Sequence, residues 1–355
     1  MTSHRTRAGH FVVALAALTL AACGRGTPAP PPGTQAPVTT TTAAPSQSGQ
    51  APATSSGSCG SHGTQVGTAS DLKDALANAR PGATIVLGPG VYQGDFKATV
   101  SGTAAAPITL CGPSSAVLQG DSIRSGYTFY LDHASYWRIE GFTVEGGQKG
   151  VMADGANYVL LSGLYVHGTG DEAIHLRDFS SNDTVSHNVI RDTGLLVAFY
   201  GEGIYVGSAH SNWCKYSGCQ PDASDHDVIT GNDISSTTAE NIDIKEGTTG
   251  GTITGNHLDG TGMVSSAATS WINVKGNDWT VTGNTGVDSI GDGFSVHQVY
   301  PGWGLGNVFR ANQITVNGPG YGIYVQSKHL NTLVACDNAV SGAQSGFSTV
   351  ACSPA

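Results

Sequence analysis

Basic side chains are scarce in this chain. Its 355 residues hold 16 Lys plus Arg against 26 Asp plus Glu, a formal net charge of −10. A surface of that sign argues against nucleic acid as a partner, because phosphate binding rests on clustered cations. It also disfavours a polyanionic substrate unless cations are concentrated locally. The apolar segment Phe11 to Leu20 is too short to span a bilayer. No Cys-x-x-Cys pair occurs, which argues against a zinc site. From Gly24 to about Ser58 large apolar residues are nearly missing, and Pro, Thr, Ser and Gly dominate. Such a segment cannot bury enough surface to offset its ordering entropy, so it reads as a tether.

Arg5 and Arg7 precede the short apolar segment, as in an export signal. The sequence that follows, Leu20-Ala21-Ala22-Cys23, resembles a bacterial lipobox. That resemblance implies a signal peptide over residues 1–22 and a lipid on Cys23. It further implies a tether over 23–58 and a location outside the cytoplasm, with the membrane touched through the lipid alone. Residues 1–22 carry two Arg and no acid, so the remainder has 14 basic against 26 acidic residues, a net of −12. Six cysteines remain, an even number in an exported chain, and six allow fifteen pairings. Cys214 and Cys219 are close enough to staple one loop. Cys336 and Cys352 can staple the C-terminal end, which leaves Cys59 with Cys111.

What the chain has in abundance is one short phrase. It reads Ala173-Ile174-His175-Leu176-Arg177, then Gly203-Ile204-Tyr205-Val206-Gly207, then Asn241-Ile242-Asp243-Ile244-Lys245. It continues as Trp271-Ile272-Asn273-Val274-Lys275, Gly293-Phe294-Ser295-Val296-His297 and Gly322-Ile323-Tyr324-Val325-Gln326. The second and fourth positions are always apolar. Period-two alternation means a strand with two unlike faces, and recurrence at a coil-sized period means that such strands stack. A second phrase ends in Asn188, Asn232, Asn256, Asn284 and Asn312, the last four spaced by 24, 28 and 28 residues. Asn tolerates left-handed backbone geometry, and its amide can bond the amide one coil away, so these residues are expected to form a ladder. The larger gap between Asn188 and Asn232 places an inserted, stapled loop at Ser208 to Asp227. Propeller blades need longer repeats, and a sandwich gives no matching columns.

Residues Ala69 to Ala79 carry Leu72, Ala75, Leu76 and Ala79 at helical spacing, with Ser70 as the expected N-cap. A strand at Thr84 to Leu87 and the turn Gly88-Pro89-Gly90 follow. This resembles the cap and first coil of right-handed parallel β-helix proteins of the pectate-lyase type. The expected fold is therefore all-β: a single-stranded right-handed parallel β-helix over residues 59–355, with a short N-terminal capping helix, and a monomer.

Aligning the six phrases yields three columns. Glu172, Glu202, Glu240, Ser270, Asp292 and Tyr321 stand at the turn entering the sheet. His175, Tyr205, Asp243, Asn273, Ser295 and Tyr324 form one outward column. Arg177, Gly207, Lys245, Lys275, His297 and Gln326 form the other, and both outward columns are expected to face solvent. Stacked Lys245 and Lys275, about 5 Å apart, should each ease the other's deprotonation. Glu202, Glu240 and Asp243 offer oxygen ligands of the kind that suit calcium.

The segment Glu240-Asn241-Ile242-Asp243-Ile244-Lys245 resembles calcium-dependent β-helix lyases of the chondroitinase B and alginate lyase type. The resemblance implies that Glu240 binds calcium and that Lys245 abstracts a proton. Two positions depart from that pattern: Thr238 stands where the family has a further Glu, and Ser266 stands near its catalytic Arg. The reaction implied is β-elimination on a uronic-acid polysaccharide. Lys245 is then the base, and calcium on Glu202, Glu240 and Asp243, aided by Lys275, neutralises the uronate carboxylate. His297 or Tyr205 donates to the leaving oxygen. Tyr205, Asn273, Tyr300, Trp303 and Tyr324 are the expected substrate contacts. Two alternatives stand beside this: a β-helix glycoside hydrolase using a carboxylate pair, and a non-catalytic glycan-binding surface lipoprotein.

Overall fold

The computed structural model describes Cys59 and residues 62–354. The expected signal peptide, the expected tether up to Ser58 and the expected lipidation site at Cys23 lie outside the described residues. Among the described residues no helix is long and apolar enough to cross a membrane.

Apolar residues at alternate positions bury one face of each short strand, and the chain winds so that these faces point inward. The result is three parallel sheets of 11, 10 and 10 strands. Strands neighbouring in a sheet come from successive coils, the right-handed parallel β-helix that the recurring phrase predicts. The phrase itself forms the sheet that carries the site. Its register is the expected one: His175 pairs with Tyr205, Tyr205 with Asp243, Asp243 with Asn273, Asn273 with Ser295, and Ser295 with Tyr324. Ile174, Ile204, Ile242, Ile244 and Ile272 are fully buried inside the coils.

The helix runs Ala69–Ala77 and is capped by Thr68, whose hydroxyl accepts from the Asp71 N–H at 3.1 Å. The cap is therefore two residues earlier than Ser70. Leu72 and Leu76 bury against the first coils. The strand Thr84–Leu87 is as expected.

The Asn ladder is continuous. Asn188, Asn232, Asn256, Asn284, Asn312 and Asn338 are buried, and from Asn232 onward each side-chain Oδ1 accepts from the amide N–H and the Nδ2 of its predecessor at 2.8–3.1 Å. The left-handed backbone falls on the preceding residue rather than on Asn. Gly231, Gly255 and Gly283 have φ near +65°, and His187 and Ala311 share that conformation. The ladder position needs an amide; the turn before it needs tolerance of positive φ.

The inserted loop is present after Gly207 and holds a 3-10 turn, His210–Asn212, and a short helix, Trp213–Tyr216. Disulfides join Cys59 to Cys111, Cys214 to Cys219 and Cys336 to Cys352.

Candidate active site

Most of the outward columns do not face open solvent, although Gln326 at their C-terminal end is exposed. His175, Asp243, Asn273, Ser295 and Lys275 are buried, and Tyr205 is nearly so. Their side chains leave the sheet outward, then pack against one another and under neighbouring loops. A cleft of about 630 Å³ opens above only part of this wall. Its floor and sides include Lys149, Glu172, His175, Arg177, Glu202, Tyr205 and Lys245, with Phe199 and Tyr200 on one loop and Lys215 and Tyr216 on the insert.

The cleft extends one coil earlier than the six aligned phrases. Lys149–Asp154 is a further strand of the same sheet, with Val151 opposite Ile174, Met152 opposite His175 and Asp154 opposite Arg177. Complementary charges on these two rungs pair directly. Lys149 Nζ bonds Glu172 Oε2. Arg177 holds Asp154 with two bonds of 2.7 and 2.8 Å, and Tyr216 from the insert lies 3.5 Å over its guanidinium. Burial alone would raise the Glu172 pKa, but the charge of Lys149 outweighs it and the carboxyl is held below its usual range. His175 donates from Nε2 to the Gly207 carbonyl at 2.9 Å. Burial and the charge of Lys149 hold its pKa low, so its imidazole is neutral.

Tyr205 and Lys245 lie together in the lining of the cleft. Lys245 Nζ sits 4.7 Å from the Tyr205 ring centroid. Burial raises the Tyr205 pKa well above its usual value, although Lys245 opposes the shift. The expectation that Lys245 and Lys275 discharge each other is not met. Asp243 lies between them, with Oδ2 2.6 Å from Lys245 Nζ and Oδ1 bonded to Lys275 Nζ. Burial pushes the Lys245 pKa down, but Asp243, Tyr205 and Glu202 push it further up, and the net shift is well above the ordinary lysine range. Lys245 is an ammonium at neutral pH.

Glu202, Glu240 and Asp243 offer ligand atoms within 4.8 Å of one another, a buried acidic group that could hold a metal ion. Glu240 Oε1 already accepts from Asn273 Nδ2 at 2.9 Å, and both Asp243 oxygens carry lysine amines. Glu202 Oε2 is buried without a partner. Burial, then repulsion from Glu172 and Asp243, raises the Glu202 pKa well above the usual carboxylate range.

The remaining candidates lie off the cleft. His297 Nδ1 is 2.9 Å from Asn273 Oδ1, and burial followed by the charge of Lys275 pushes its pKa down to about 4. Tyr324 packs beside His297 at 5.3 Å between ring centroids. Tyr300 packs on His210 and Trp213 of the insert. Trp303 is half-buried in the loop that follows. Thr238 uses its hydroxyl to hold the Ala198 carbonyl at 2.9 Å, and Ser266 is an exposed turn residue.

Residues 95–296 match the family model described as periplasmic copper-binding protein (NosD). The chain belongs to this β-helix family. Among solved structures, the alginate lyase from Paenibacillus sp. str. FPU-7 is 37% identical, over 80% of this chain and 96% of that one, with a TM-score of 0.73. A rhamnogalacturonan lyase superposes with a TM-score of 0.56 at 15% identity, over 73% of this chain and 75% of that one. The pectate lyase Pel9A does so with 0.51 at 16% identity, over 79% of this chain and 75% of that one. The last two likenesses show the fold alone. No curated protein matches in sequence. The structural neighbours of this β-helix include polysaccharide lyases of three kinds.

Proposed function

We propose that the protein is a lyase that cleaves a uronic-acid polysaccharide by β-elimination, with alginate as the first candidate. One observation carries the reading: the Tyr205–Lys245 pair lies in a cleft flanked by Lys149, Arg177 and Lys215, on a chain whose net charge is −10. Four cationic side chains, Lys149, Arg177, Lys215 and Lys245, line this one cleft and can meet the carboxylates of a polyanion. The 37% identity to an alginate lyase supports the same reaction class. The lipobox pattern at Cys23 supports a lipid-anchored location outside the cytoplasm.

In this reading Lys245 takes the C5 proton, and the electron pair left on C5 forms the C4–C5 double bond as the C4–O4 bond breaks. The Tyr205 hydroxyl gives its proton to the departing O4. The pair resets when the Lys245 ammonium returns a proton to the Tyr205 phenolate. The pair must first lose one proton, because both groups are protonated at rest. Their pKa values are raised, so the deprotonated fraction grows as pH rises. The expected kcat/KM therefore climbs from neutral into alkaline pH. Asp243→Asn removes the anion that holds Lys245 charged and moves that limb to lower pH by about one unit or more. A limb that stays in place in this variant contradicts the assignment.

Copper does not fit this chain's acidic cluster, because copper favours imidazole and sulfur donors and the cluster is carboxylate throughout. Carboxylates suit calcium, for which Glu202 and Glu240 are the ligands best placed to turn toward an ion. With both Asp243 oxygens bonded to lysine, we take the balancing charges to be Lys245, Lys275 and a proton on Glu202. Turnover after exhaustive chelation is then expected to stay within about two-fold of the untreated value. A loss of about ten-fold or more that calcium restores would put an ion between Glu202 and Glu240.

The experiment that tests the function is incubation with a panel of uronic polymers. An unsaturated uronide, detected by its ultraviolet absorbance, is expected with at least one of them. Reducing ends without that absorbance would make the protein a hydrolase, and neither signal would leave it a binder.

A further inference from the structure

We infer that the loop Gly194–Gly201 is a saccharide subsite that holds sugar rings of the substrate chain beside the reactive pair; this rests on the lyase reading. The loop leaves the solenoid between the strands Val189–Arg191 and Ile204–Val206 and ends in a 3-10 turn, Ala198–Tyr200. Leu195, Phe199 and Tyr200 are 56%, 59% and 52% exposed. The other exposed large apolar side chains among the described residues are singles, apart from the pair Val299 and Tyr300. A cluster of three in one loop marks a contact surface.

The loop is held in place. Thr193 Oγ1 donates to the Gly201 carbonyl at 2.6 Å, and Thr238 Oγ1 donates to the Ala198 carbonyl at 2.9 Å. The Leu195 and Leu196 N–H groups donate to the Thr169 and Gly170 carbonyls at 3.1 and 2.8 Å. A Cβ at Gly194 or Gly201 would collide with Thr238 Oγ1, so both glycines are needed for this seating. A rigidly anchored loop that displays rings to water has already lost the entropy that binding would otherwise cost.

The occupant follows from what the rings adjoin. Phe199 and Tyr200 line the same cleft as Arg177, Tyr205 and Lys245. Their ring planes meet nearly at right angles, with centroids 5.9 Å apart, so they present two differently oriented faces. A pyranose offers an apolar C–H face for such rings, while its carboxylate reaches the cationic side of the cleft. A lipid surface fits less well, because the two rings line a cleft whose other side chains are mainly polar and charged.

The test uses the full chain carrying Lys245→Ala, which binds without turnover, in affinity electrophoresis through alginate. Adding Phe199→Ala and Tyr200→Ala is expected to weaken retardation about ten-fold with the melting temperature unchanged. Equal retardation overturns the subsite and leaves the lyase reading standing. Absence of retardation in the Lys245→Ala parent, across alginate and the other uronic polymers, overturns that reading and the subsite with it. Unchanged alginate binding with lost binding to phosphatidylcholine vesicles assigns the loop to a lipid surface instead.

Discussion

Lys245→Ala is expected to lower kcat/KM on the cleaved polymer by about a thousand-fold or more while the fold persists. The magnitude follows from the role: the side chain takes the proton whose removal starts the elimination. The fold persists because Lys245 leaves the outer face of the sheet, between the inward Ile244 and the turn that begins at Glu246. Removing it leaves Asp243 with Lys275 as its remaining amine partner. Tyr205→Phe should cost somewhat less, because it removes the proton donor and keeps the ring that packs against His175 at 4.3 Å. Steady-state rates with circular dichroism on the same samples check both. Retained turnover in Lys245→Ala would exclude Lys245 as the base.

Asn256→Ala is expected to destabilise the protein by about 3–5 kcal/mol, since buried polar groups left without a partner cost about 1–3 kcal/mol each. The Asn232 N–H and the Ile229 carbonyl lose their bonds to Asn256, while Asn232 Nδ2 and Asn284 Oδ1 each lose one of two. In a solenoid each coil depends on its neighbours alone, so the damage is centred on the coils that carry Asn232, Asn256 and Asn284. Hydrogen exchange should show protection lost there first, before the N-terminal coils. A change below about 1 kcal/mol in a denaturant titration would mean that the amides find other partners.

The architecture was legible because stacking converts sequence period into spatial register. Aligning six phrases by their first apolar residue placed His175, Tyr205, Asp243 and Asn273 on successive rungs, and the strands pair in that register. The Asn ladder and the inserted loop were legible for the same reason. The cleft was not, because its boundaries are set by loops. Residues 194–201 and the insert decide which part of the polar wall stays open, and neither repeats. The strand Lys149–Asp154 was overlooked because Met152 stands at one of its two outward polar positions. Opposite charges on adjoining rungs, Lys149 with Glu172 and Asp154 with Arg177, were the signal that could have revealed it.

The protonation state of Lys245 was misjudged for a geometric reason. Reading down one column pairs Lys245 with Lys275, two like charges. The closer neighbour is diagonal: Asp243, two residues earlier on the same outward face, reaches both amines. A local opposite charge at 2.6 Å outweighs a like charge one rung away. The same contact turns the expected base into an ammonium that must lose a proton before it acts.

Elimination and hydrolysis differ in where the new chain end gets its oxygen. Cleavage of the susceptible polymer in heavy-oxygen water, followed by mass spectrometry of the fragments, separates them without reference to any single residue. Breaking C4–O4 by β-elimination should leave both ends free of the label and one end lighter by a water. Incorporation of one heavy oxygen at each cleaved bond would mean that water attacks, and the Tyr205–Lys245 pair would not be the proton-transfer centre of a lyase.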